Sequence, residues 1–141
     1  MNKKKIVLAG LAAGSGHFHT PVQVQKLFFL IDRNISHLIG GPFFSFEAYN
    51  YGPFDAAVYR VLEGLNTEGL VEIAKDGTMN MYGLTDDGRN VGDEVLSNLE
   101  HETAKYIKDV SKFVRSLSFS KLVSAIYKAY PEMKQNSVFQ Q

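Results

Sequence analysis

Apolar residues recur along this chain in blocks whose spacing shifts from helical to alternating and back to helical. Residues 4–13, with Ile6-Val7-Leu8-Ala9 at their centre, predict a short apolar helix ended by Gly14 and Gly16. Thr20-Pro21 opens the next helix, because threonine suits the N-cap and proline the first helical position. Val24, Leu27, Phe28, Ile31, Ile35 and Leu38 then follow three-and-four spacing, with Gln23, Lys26, Arg33 and His37 on the other side. Gly40-Gly41-Pro42 stops this helix. The aromatic-rich run from Phe43 to Tyr51 suits a short strand, since Phe44, Phe46 and Ala48 alternate with Ser45, Glu47 and Tyr49; a buried extended loop suits it equally. Gly52-Pro53 predicts a turn leading into a helix with the stripe Phe54, Val58, Val61, Leu62 and Leu65. Gly69 is its expected C-cap, with Leu70 packing back.

Val71–Ala74 and Met79–Tyr82 alternate at period two around Lys75-Asp76-Gly77-Thr78, and Asp-Gly between such runs predicts a hairpin. Thr85 is placed to cap the following helix, with Asp86 and Asp87 in its first turn, where the helix dipole favours carboxylates. Helical spacing continues through Val91, Val95, Leu96 and Leu99, and again through Ile107, Val110, Phe113, Val114 and Leu117. A break at His101-Glu102-Thr103 and one continuous helix over 86–117 are both open. Ser118 or Ser120 caps a last helix ended by Pro131, and 134–141 reads as a loosely held tail after one domain of residues 1–133. The fold class is mostly α with a small β-hairpin. The order of helix, turn, helix, hairpin and helix over 25–88 is that of a winged helix-turn-helix, here with additional C-terminal helices.

Composition narrows the function. With 141 residues the chain can bury a sizeable core. It has no cysteine, which excludes disulfides and cysteine-based zinc sites and suits a reducing cytoplasm. Lys3-Lys4-Lys5 before an apolar run resembles a short signal peptide, but the run is brief and a core helix is the expectation; no stretch suffices to span a bilayer. Charge is balanced overall but unevenly placed. Residues 44–102 carry three basic and twelve acidic side chains, and residues 103–141 carry seven basic and two acidic.

Several short motifs, in this order, carry a family resemblance. Gln25-Lys26-Leu27-Phe28-Phe29, Tyr49-Asn50-Tyr51-Gly52-Pro53 and Val58-Tyr59 resemble the Panacea family, the SocA-like antitoxin domains, and also uncharacterised bacterial winged-helix proteins of similar size. Tyr82-x-Leu84-Thr85-x-x-Gly88 is similar to the end of a wing, and Ile126–Glu132 to the closing helix of the uncharacterised relatives. The resemblance implies a small bacterial or phage regulatory protein. Panacea domains are associated with toxin neutralisation, and some relatives are adaptors for proteolysis. With no obvious second domain to bind DNA, an antitoxin role would rest on direct contact with the partner.

No residue constellation argues for an enzyme. His17 and His19 lack companions at metal-ligand spacing, and His37 and His101 stand far apart from them. Asp86-Asp87 and Asp93-Glu94 read as solvated helix carboxylates, and no nucleophile elbow, Walker sequence or dinucleotide fingerprint is present. Neither a cofactor nor a metal is expected. The aromatic and acidic residues Tyr49, Tyr51, Asp55, Tyr59 and Glu63 are the candidate protein-binding surface, for a partner such as a toxin or a component of a protease system. The alternative is a DNA-binding regulator acting as a dimer through Lys26, Arg33, Lys75, Lys105, Lys108, Lys112 and Arg115. DNA affinity rests on phosphate neutralisation, and the net −9 of residues 44–102 opposes groove reading by the helix before the hairpin.

Overall fold

A computed structural model describes residues 1–139, and they form a mostly helical molecule with two small antiparallel hairpins. In chain order the elements are α1 (Lys3–Ala12), α2 (Pro21–Ile39), β1 (Glu47–Tyr49), β2 (Gly52–Phe54), α3 (Ala56–Thr67), β3 (Val71–Asp76), β4 (Met79–Leu84), α4 (Asp86–Ser97), α5 (His101–Ser116) and α6 (Phe119–Ala129), followed by a 3-10 turn at Pro131–Lys134. No helix among the described residues is long and apolar enough to cross a membrane.

Local chemistry sets most boundaries. Thr20 Oγ1 accepts from Gln23 N while Gln23 Oε1 accepts from Thr20 N, a reciprocal cap that satisfies two otherwise free donors. Gly40, in the left-handed region, ends α2. Thr85 Oγ1 accepts from Gly88 N to start α4, and Ser118 caps α6. The break between α4 and α5 falls at Asn98–Glu100, so the 86–117 segment is two helices.

The core is centred on α2. Val24, Leu27, Phe28, Phe29, Leu30 and Ile31 are all buried, and so are Gln25 and Lys26, so this helix is buried nearly all round in its first half. α1 packs chiefly on α4, and α5 lies against α2. The α1–α4 approach depends on Gly92, where a Cβ would fall 2.5 Å from the Leu8 carbonyl oxygen. Gly88 similarly leaves room for the Leu70 backbone.

Four details differ from the sequence reading. The aromatic run forms a hairpin, β1 with β2, whose turn is Asn50-Tyr51; Gly52 and Pro53 lie within β2. The β3–β4 turn is centred on Gly77-Thr78, because Asp76 pairs with Met79. Leu38 is exposed, while Phe29 and Ile39 are buried: Phe46 and Tyr130 pack on Phe29 at the back of α2, and the last turn brings Ile39 rather than Leu38 into the core. The tail is bonded as far as Phe139. Val138 N donates to Asn50 O, Asn136 Nδ2 to Ala48 O, and Tyr127 Oη to Ser137 Oγ, so the final residues brace the β1–β2 hairpin. Residues 140 and 141 of the expected tail lie outside the described residues. An isolated two-residue pairing adds His19 to the second hairpin, with His19 N donating to Tyr82 O and Tyr82 N to His19 O.

Candidate functional site

Three polar side chains of α2 point into the structure and fix the loop region opposite. Gln25, buried, exchanges two hydrogen bonds with the Asp55 backbone: Nε2 donates to Asp55 O at 3.0 Å and Oε1 accepts from Asp55 N at 2.9 Å. Asp32 accepts from the backbone N–H groups of Phe43 and Phe44. Burial pushes its carboxyl upward, opposed by those two donors. Lys26 donates from Nζ to the Pro53 carbonyl at 3.3 Å and is 3% exposed. Desolvation lowers its ammonium from 10.5 to about 7.

Beside Lys26 opens a cleft of about 430 Å³, a volume typical of a ligand or side-chain pocket. The first turn of α2, from Thr20 to Gln23, forms one wall. Tyr49, Tyr51 and Phe54 of the first hairpin form another, and Tyr59 of α3 a third. Leu117, Phe119 and Leu122 close it from the start of α6, and Met79 reaches in from β4. The rim is apolar and open to solvent: Tyr49, Tyr51, Met79 and Phe119 are 52%, 44%, 37% and 45% exposed. The rings are mutually held, with Tyr49 and Phe54 centroids 5.0 Å apart and Tyr51 meeting Phe119 edge-on at 5.1 Å. Among the described residues no Asp or Glu lines this cleft.

The candidate protein-binding surface is therefore half assembled as expected. Tyr49, Tyr51 and Tyr59 converge on one cleft. Asp55 does not join them as a free charge. It caps α3 through Ala57 N, and its second oxygen accepts from Ser45 N. Glu63 is exposed on α3 and does not line the cleft.

The basic candidates scatter. Lys26 is not on the outer face of α2, because the β1–β2 hairpin folds over it. Arg33 is exposed but occupied: it pairs with Glu132 at 2.9 Å and lies over the Phe29 and Tyr130 rings. Lys75 stands alone on β3, and Lys105 pairs with Asp109 at 2.8 Å. Lys108, Lys112 and Arg115 do come together. They line a groove between α4, α5 and the end of α1, joined there by Arg89, which the sequence reading did not single out. Asp93 and Asp109 share that groove.

His17 and His19 do not converge either. His17 is exposed, whereas His19 is fully buried with both ring nitrogens unpartnered. Burial, reinforced by the charge of Arg115, lowers the His19 imidazole from 6.5 to about 4. Among the described residues no group of three or more His, Asp or Glu side chains is placed to hold a metal ion.

Two signals for the cleft are present in the sequence. Leu27 to Ile31 is an unbroken apolar run, which a helix with one wet face does not need, so polar neighbours such as Gln25 and Lys26 are candidates for burial. Phe119, at the start of an otherwise amphipathic helix, has no helical place in the core. No family model, curated protein or solved structure matches the chain.

Proposed function

We propose that this chain is a non-catalytic winged-helix interaction protein, antitoxin-like or adaptor-like, that binds a protein partner through the Tyr49–Tyr51–Tyr59–Phe119 cleft. The observation that carries the reading is the cleft itself: four large apolar side chains stand exposed around one concave site. Contiguous exposed apolar surface is costly in water and marks interaction sites, and buried aromatic anchors dominate interface energetics. The order of elements supports the winged-helix assignment. α1, α2, α3 and the β3–β4 hairpin follow one another, and an isolated bridge ties His19, just before α2, to Tyr82 of the second hairpin strand. The β1–β2 hairpin is then an insertion between α2 and α3. The resemblance of Gln25-Lys26 and Tyr49–Pro53 to the Panacea family falls on residues that touch each other, since Lys26 bonds Pro53 and Gln25 bonds the residue two beyond it.

Co-expression with the product of the neighbouring gene tests this reading. Wild type is expected to co-purify with it, and the Tyr51→Asp/Phe119→Asp double variant is expected not to. Equal recovery with both proteins sinks the cleft as the interface.

The groove of Arg89, Lys108, Lys112 and Arg115 favours a second reading, a dimeric DNA-binding regulator. A gel-shift series between about 50 and 200 mM salt decides it: submicromolar affinity that falls steeply over that range supports this reading and displaces the first.

A further inference from the structure

The cleft has a polar end that its apolar walls do not explain. Lys26 lines it, is 97% removed from solvent and has one protein acceptor, a backbone carbonyl. None of the ion pairs among the described residues includes Lys26. The first turn of α2 lines the same cleft, so the positive end of a 19-residue helix adds to the ammonium. With no carboxylate in the lining among the described residues, the floor is electropositive there. Gly52 borders the ammonium. Its φ of +103° means that a side chain there would be strained, and an added Cβ would lie 3.5 Å from Lys26 Nζ, in ordinary contact with it.

A lysine costs stability in such a place unless something meets its charge. The complementary occupant carries a negative group and an apolar body together. A glutamate or aspartate side chain brings the charge but leaves the aromatic walls unmatched. The last residue of a polypeptide brings both on one α-carbon, with its carboxylate at the end of the chain.

We infer that the cleft recognises the C-terminus of a partner polypeptide, with the terminal carboxylate on Lys26 Nζ and a large apolar final side chain between Tyr59, Phe54 and Leu122. This deepens the protein-binding reading and rests on it. The lowered ammonium of Lys26 agrees with a site that is short of a partner when empty.

Fluorescein-labelled hexapeptides ending in Leu-Phe, Leu-Leu or Leu-Met test it by fluorescence anisotropy, each as the free acid and as the C-terminal amide. A fourth probe, amidated and ending in Leu-Glu, supplies a side-chain carboxylate. At least one free acid is expected to bind, with its amide and the Leu-Glu probe each at least tenfold weaker. Lys26→Met and Lys26→Gln are expected to erase the difference between acid and amide while leaving amide binding unchanged. The acid–amide contrast on the wild-type protein needs no variant to fold. Equal binding of acid and amide overturns the carboxylate and leaves the cleft an interface. Preference for the Leu-Glu probe overturns the chain terminus in favour of an internal acidic residue. No binding of any probe at millimolar concentration overturns the inference, while the neighbouring-gene experiment judges the protein-binding reading separately.

Discussion

The cleft and the basic groove treat charge in opposite ways. The groove gathers Arg89, Lys108, Lys112 and Arg115, but the first three stand exposed, Arg115 is half-buried, and all share space with Asp93 and Asp109. The cleft holds a single cation, and that one is buried among aromatic and aliphatic walls. A charge in water interacts with a partner at a small fraction of the strength that the same charge has where water is excluded. Four visible charges can therefore matter less to recognition than one hidden one. The groove would supply long-range attraction that salt screens, and the cleft short-range discrimination that salt hardly touches.

The sharpest break between the two comes from damaging each in turn. Tyr51→Asp/Phe119→Asp is expected to weaken partner binding at least 100-fold, about 2.7 kcal/mol, because it puts charge on the apolar rim. Lys108→Glu/Lys112→Glu is expected to change the same affinity less than about threefold, as rim or remote charges do. Titration calorimetry with the purified partner reads both, and the reverse ranking would make the groove the interface.

The next effect concerns His19, the buried group on the groove side, whose ring packs against Gly14 and feels Arg115. Its folded value, about 4, lies below the unfolded 6.5, so the fold favours the neutral ring. This contribution to stability is fully present above pH 6.5 and is lost as pH falls towards 4, by about 3 kcal/mol. Urea midpoints at pH 7 and pH 4.5 should converge in His19→Leu relative to wild type. An unchanged pH dependence in the variant would show that His19 is not the group responsible.

Lys26 behaves in the same sense at higher pH. Its folded value is about 7 against 10.5 unfolded, so stability rises as pH climbs through that interval. Lys26→Met is expected to stabilise the protein by about 2 kcal/mol at pH 6, with a smaller gain at pH 9, since it removes a desolvated charge. A destabilised variant would mean that the Pro53 hydrogen bond outweighs the burial cost. The smallest effect falls on the groove: Lys108→Glu/Lys112→Glu should leave the melting midpoint nearly untouched, within about 0.5 kcal/mol, as solvated surface charges do.

The helical skeleton was legible because its signals are local. The Thr20-Pro21 start, the Gly40 stop, the Asp76-Gly77 hairpin and the Thr85 and Ser118 caps each act within a few residues. The cleft was legible only in part. Tyr49, Tyr51 and Tyr59 announce themselves by type, but the partners that turn them into a concavity are distant in sequence. Phe119 meets Tyr51 across the fold, and nothing local marks that pairing. Lys26 was misplaced for a related reason. Helical periodicity assigns faces relative to one apolar stripe, and the β1–β2 hairpin supplies a second wall on the back of α2. Asp55 reads as a surface acid although its carboxylate serves the backbone donors of Ser45 and Ala57, a use that only the folded path of residues 43–57 reveals.

The bracing of the β1–β2 hairpin by Asn136, Ser137 and Val138 has a consequence for how this site comes into being. One side of the hairpin is tied to α2 through Gln25 and Lys26, and the other to Asn136, Ser137 and Val138, more than eighty residues later. Such long-range closures form late and together, after most of the loop entropy has been lost. The cleft is thus a product of long-range closure rather than of any one segment. A ligand of this cleft would, by mass action, stabilise the closed hairpin and with it the segment at 136–138 that braces it.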